Sequence, residues 1–206
     1  SEVMYAQFKL YGVKPIIFVN VLDPAKHKAE IKDTDGRTVT EGRIVLDDPV
    51  LIASLKVKSS AAAEPAKNLE DYTAAYNDDG RLIISVTPTG SLKNADKLYL
   101  EYTKIDPSKV KDADIIGGAS KNGTAGLEWL DSIYTLFSLV PGIVAAPGWS
   151  DHPSVAAVMK AKAMNISGLF RCICLTDVDT GAVKHYSDVN EWKNKNSYTG
   201  VNQVVC

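Results

Sequence analysis

Apolar and polar positions change period along the chain, and the most regular stretch runs from Thr124 to Asp177. Leu127, Leu130, Tyr134 and Phe137 fall at i, i+3, i+7 and i+10, which predicts a helix with one apolar stripe. Pro141-Gly142 breaks it, and Ile143 to Ala146 reads as a short apolar strand ended by Pro147-Gly148. Ser150 or Asp151 is placed to cap a second helix, with Pro153 in its first turn, where a missing N–H costs little. Val155, Val158, Met159, Lys162 and Ile166 share a face of that helix. Gly168 closes it, and Leu169 to Leu175 is almost unbroken apolar sequence, as in a strand covered on both faces. The unit reads αβαβ.

The N-terminal stretch has a related style. Glu2 to Tyr11 reads as a short helix ended by Gly12, and Ile16 to Leu22 as a covered strand. From about Ala25 to Lys111 the pattern becomes alternating and more polar. Alternation marks strands in Thr38–Leu46, Leu51–Val57, Tyr72–Tyr76, Arg81–Thr87 and Leu98–Thr103. Turn chemistry at Asp35-Gly36, Asp47-Asp48-Pro49, Asn77 to Gly80 and Pro88 to Gly90 separates them. The clearest hairpin is DYTAAY-NDDG-RLIISV. Ser59 to Leu69, rich in alanine, reads as a rim loop or short helix. Five or six short antiparallel strands predict a small sandwich or barrel. At Asp112 the α/β style resumes, and Ser187 or Asp188 starts a last helix through Lys195 before the strand-like Val204-Val205. The expected fold class is therefore α/β, a mainly parallel sheet with flanking helices, interrupted by an inserted antiparallel β-sandwich or barrel. Its two parts are residues 1–25 with 112–206, and residues 26–111. An insertion whose ends lie close together explains the order better than two domains in series.

Composition narrows the function classes. The chain has 206 residues, a formal net charge of −2 and 45% apolar residues, which suits a packed core. The charge balance and the lack of a basic stripe with aromatics argue against a dedicated nucleic-acid binder. No apolar run approaches the ~20 residues that span a bilayer. No signal peptide is read at SEVMYAQFKL, and three cysteines suggest no disulfide framework, so a reducing environment is expected. Both ends read as cut: the chain opens inside a helix-like segment and stops within a strand-like one.

Four stretches invite chemistry. GASKNGT, from Gly118 to Thr124, resembles a phosphate loop, but the place after the second glycine holds Thr124 where the motif needs lysine. GWSDH, from Gly148 to His152, invites a serine hydrolase with Ser150 at a strand-to-helix corner. The nucleophile elbow requires glycine at position 152, and three consecutive residues cannot easily align as a triad. His27 and His185 stand in no recognisable context. Cys172 and Cys174 share a strand face, yet no further ligands follow them, so they read as small buried hydrophobes. Asp177 with Asp179, and Asp33 with Asp35, echo calcium loops without the remaining ligands and read as turns. Tyr72, Tyr76 and Tyr99 are the sole support for a carbohydrate-binding β module, and they alternate as packing residues do. No catalytic, cofactor-binding or metal-ligating residue is assigned, and the chain is not expected to be an enzyme. Ser150 hydrolysis is the alternative.

Specific residues go further than periodicity. LVPGIVAAPGWS from Leu139 to Ser150, then HPSVAAVM, then NISGLF from Asn165 to Phe170, closely resemble the tail sheath proteins of contractile bacteriophages and prophage particles. VNVLDPAKH from Val19, DYTAAYNDDG from Asp71, YTKIDPSKV from Tyr102 and DIIGG from Asp114 fit the same family in the same order. Asp188 to Cys206 fits it too. The resemblance implies a subtilisin-like core, named for fold and not proteolysis, interrupted by a β-sandwich. It implies a structural role: stacked hexameric rings forming a sleeve around the inner tail tube. The sleeve is assembled in the bacterial cytoplasm and located in the virion tail, where a baseplate signal makes it contract. Implied partners are further copies, the tube protein, the baseplate and the tail terminator, with no nucleic acid or membrane. By that resemblance the 206-residue chain alone is expected to be monomeric.

Overall fold

The structure is a computed structural model that describes residues 5–121 and 123–206. It divides into two compact units, Leu22–Val110 and Ser1–Val21 with Lys111–Cys206. Helices occur with both antiparallel and parallel sheets, so the protein is mixed α/β.

The Leu22–Val110 unit contains seven strands: β1 Lys28–Lys32, β2 Arg37–Thr38, β3 Arg43–Leu46, β4 Lys56–Lys58, β5 Tyr72–Tyr76, β6 Leu82–Val86 and β7 Lys97–Ile105. β7 pairs antiparallel with β1, β2 and β4, and β6 pairs antiparallel with β3 and β5. Alternation decides what goes inside: Leu98, Leu100 and Tyr102 of β7 meet Leu82 and Ile84 of β6 and Ile44 and Leu46 of β3 in one buried cluster. The two sheets stay separate in their hydrogen bonding, which sets aside the barrel alternative. The expected single run Thr38–Leu46 is broken because Glu41 and Gly42 take positive φ at a turn. Leu51–Val57 is likewise not one strand; Ile52–Ser54 forms a 3₁₀ turn before β4.

A polar chain runs beside this core. Arg37 Nε donates to Asp33 at 2.8 Å, and its Nη2 reaches the Tyr102 hydroxyl at 3.2 Å. That hydroxyl donates to Asp48 at 2.6 Å, and Lys104 donates to the other Asp48 oxygen at 2.7 Å. Burial, then the bond to Asp48, pushes the Tyr102 phenol far up, while Lys104 and Tyr102 hold Asp48 below its usual range.

The other unit carries a hairpin of β8 Gly118–Ser120 and β9 Gly123–Ala125 and a three-stranded parallel sheet of β10 Ile143–Ala145, β11 Ile173–Thr176 and β12 Gln203–Val205. Its α-helices are α1 Asp112–Ile116, α2 Ile133–Phe137, α3 Pro153–Met164 and α4 Val189–Lys195. The sequence of α3 is rich in Ala, Met and Lys, good helix formers, and Pro153 takes the first helical position. Val155, Ala156, Met159 and Ala163 are its buried face.

Three expectations change here. Ile16–Leu22 lies outside every strand, and Phe18 and Val19 are exposed. Apolar composition makes a strand possible, but the parallel sheet is built from residues 143–145, 173–176 and 203–205. Of the helix expected over Glu2–Tyr11, residues 2–4 lie outside the described residues and Ala6–Leu10 forms a π-helical turn. The helix expected after Thr124 begins as a 3₁₀ helix, Gly126–Ser132. Three residues per turn align Leu127, Leu130 and Ile133, all buried, and leave Tyr134 and Phe137 outside the stripe.

The central strand is covered on one face, not two. Val144, Cys174 and Thr176 are buried, whereas Ile143, Ile173 and Val204 on the opposite face are 61%, 44% and 45% exposed. Strands β10, β11 and β12 lie side by side in chain order, and α3, the helix between β10 and β11, packs on the sheet.

Candidate functional site

In open α/β sheets, ligands and reacting groups gather beyond the carboxyl ends of the strands. At that end the loop after β10 and the residue after β11 are tied together. Gly148, at φ +74°, turns the chain and donates its N–H to Asp177 Oδ2 at 2.8 Å. Ser150 Oγ donates to the same oxygen at 2.8 Å and accepts the Asp177 N–H at 2.9 Å. Tyr198 closes the staple by donating to the Ser150 carbonyl at 3.1 Å. The Tyr198 phenol is pushed up to about 12, first by burial and then by Asp151 and Asp177.

Ser150 is therefore not the helix cap expected of it. The first flanking residue of α3 is His152, whose side chain makes no capping bond. Nor is the serine set up as a nucleophile. Its single proton is committed to Asp177, and the residue is 1% exposed, beyond reach of a substrate. His152 faces a different partner: its Nδ1 lies 2.6 Å from Asp112 Oδ1, and Ser154 Oγ donates to Asp112 Oδ2 at 2.6 Å. The motif thus splits into an inner Ser150–Asp177 staple and an outer His152–Asp112–Ser154 set. Neither Asp112 nor Asp177 stood out as a partner in the sequence. The available signal was position: Asp177 directly follows an apolar strand, and Asp112 opens a helix.

The other candidates fall into structural places. Gly118–Ser120 and Gly123–Ala125 form the β8–β9 ladder, which occupies backbone groups that a phosphate loop would turn toward phosphate; Asn122 lies outside the described residues. Cys172 and Cys174 are buried with free thiols that burial pushes up, and Cys206 is exposed. Asp33 pairs with Arg37, and Asp179 accepts from the N–H groups of Gly181 and Ala182 in a turn. Among the described residues no group of three or more ligating side chains could hold a metal. Tyr72 is buried in the β core and Tyr99 is half-buried against Gly36, so two of these three tyrosines are packing residues. A groove of about 630 Å³ along α3 is lined in part by Lys162, which Glu128 and Asp131 clasp at 2.8 and 2.6 Å. Among the described residues, no helix is long and apolar enough to cross a membrane.

The fold and this corner define a mixed α/β protein whose hydroxyl, imidazole and carboxylates are spent on joining loops. The chain is similar to the tail sheath protein of Burkholderia phage BcepMu, 29% identical over 165 residues. The match covers 77% of this chain and 33% of that protein, so the chain spans about a third of the length of the curated relative it matches. The resemblance to tail sheath proteins drawn from the motifs is borne out by this relative. No family model matches the chain, and no solved structure matches it.

Proposed function

We propose that this chain is part of a contractile tail sheath subunit. Residues 1–25 with 112–206 form a subtilisin-like body, and residues 26–111 form a β-sandwich inserted into it. Copies of the whole subunit stack as hexameric rings around the inner tail tube, between baseplate and terminator. Contraction drives the tube through the target envelope. The sleeve is a bistable assembly whose energy resides in subunit contacts. Similarity to the BcepMu sheath protein carries this reading. The apolar sheet face at Ile143, Ile173 and Val204 supports it, since exposed patches of this kind mark surfaces meant to be covered. The inserted unit, with its charged loops, lies on the outside of the sleeve.

Electron microscopy of the full-length protein expressed alone tests the reading. Regular hollow sleeves are expected, and a protein that stays dispersed under all assembly conditions contradicts it. Clean deletion of residues 27–108 from the full-length protein is expected to leave sleeve formation intact; its loss would place the inserted unit within the wall.

A further inference from the structure

The outer half of the Gly148–His152 corner has a geometry that the proposed role does not use. One carboxylate, Asp112, receives two groups from the start of α3: the His152 ring at 2.6 Å and the Ser154 hydroxyl at 2.6 Å. Asp112 is the first residue of α1, so these two bonds fasten α1 to α3. The helix α1 in turn holds the β8–β9 hairpin. A Cβ on Gly126 would come within 2.3 Å of the Ile115 carbonyl oxygen, and one on Gly117 within 1.9 Å of the Ala125 carbonyl oxygen. Backbone packs directly on backbone there, so α1 and the base of the hairpin shift together.

We infer that Asp112, His152 and Ser154 form a pH-sensitive clamp, closed in mildly acid solution and loosened in mildly alkaline solution, that sets how firmly α1 and the hairpin are held. The His152 ring touches Asp112 from α1 and the edge-on Trp149 ring at 5.7 Å, and the charges of Asp151 from its own loop and Asp179 from the turn after β11 act on it from further off. All three carboxylates act to raise the imidazole. The positive end of α3 opposes a charged ring, and the short contact to Asp112 overrides it. His152 is accordingly held above its ordinary value, by the bond to Asp112 first, and Asp112 below its own, by Ser154 and then His152.

The signs give a window. A raised imidazole contributes fully below about 6.5 and loses its contribution as pH climbs through the raised value. The lowered carboxylate contributes above about 4 and fails only as pH falls through its depressed value. Between these limits both partners are charged. Above the window the ring is neutral, and the Asp112 carboxylate keeps its hydrogen bonds to Ser154 and the ring without a charged partner. This clamp does not depend on the sheath reading.

Amide hydrogen exchange on the 206-residue chain tests the clamp, read at Asp114, Ile115 and Gly117 and corrected for intrinsic base catalysis. Protection at these amides is expected to fall about two- to fivefold between mildly acid and mildly alkaline pH, the scale of a part-exposed ion pair. In His152→Gln it is expected to stay flat. Unchanged protection in the native chain, or an equal fall in His152→Gln, overturns the clamp. Titration of the His152 ring by NMR gives a second readout that does not require that variant to fold. Asp112→Asn should lower the midpoint of the ring, and an unmoved midpoint refutes the clamp.

Discussion

Ser150 spends its hydroxyl twice, as donor to Asp177 and as acceptor from the same residue's N–H. Ser150→Ala is expected to cost about 1.5–3 kcal/mol, because a buried hydrogen bond to a charged group is lost and an N–H is left bare. Denaturant unfolding measures it. A fluorophosphonate probe should leave Ser150 unlabelled in the folded chain; labelling there would revive the hydrolase alternative. Gly126 needs a positive φ of 58° and leaves no room for a Cβ against Ile115. Gly126→Ala should therefore destabilise the chain by more than the ~1–2 kcal/mol of a simple left-handed penalty. The sequence showed the serine, aspartate and histidine together, but not that they face different partners. Residues two apart can point to separate loops, and the choice depends on what the fold brings near.

At the scale of elements, α3 shows how far periodicity reaches. Its start at Pro153 and the burial of Val155 and Met159 were legible, but Val158 and Lys162 of the expected face are only half-buried, and the helix ends at Met164 instead of Gly168. Met159→Ala is expected to cost about 2–5 kcal/mol by leaving a cavity at a fully buried position, again read by denaturant unfolding. The strand β11 shows where periodicity misleads. A continuous apolar run was read as burial on both faces, yet Ile173 is half exposed. Ile173→Ser should therefore change the stability of this chain by only about 0.5 kcal/mol. In the full-length protein the same change should reduce sleeve formation, as counted in micrographs. Normal sleeves with Ile173→Ser would argue that the face stays open in the assembly.

The whole molecule combines two compact units with different internal logic. In Leu22–Val110, alternation on β3, β6 and β7 accounts for the shared core, and Asn77 to Gly80 forms the turn between β5 and β6. This unit should fold when expressed alone, giving dispersed amide resonances and a cooperative melt; a collapsed, poorly dispersed spectrum would contradict that. The 206-residue chain should sediment as a monomer, and regular tubes formed by it alone would contradict the proposed division of labour.

By itself the sequence determined the alternating β segment, its turns, the helix at Pro153 and the likeness to tail sheath proteins. Each of these depends on side chains within a few residues of one another, or on motifs preserved in order. Only the tertiary structure decided that Ile16–Leu22 lies outside the named strands, that Ile143, Ile173 and Val204 of the parallel sheet stay exposed, and that Asp177 and Asp112 divide the Gly148 corner between them. Those outcomes depend on which distant backbone or carboxylate arrives alongside, and short-range periodicity carries no record of that.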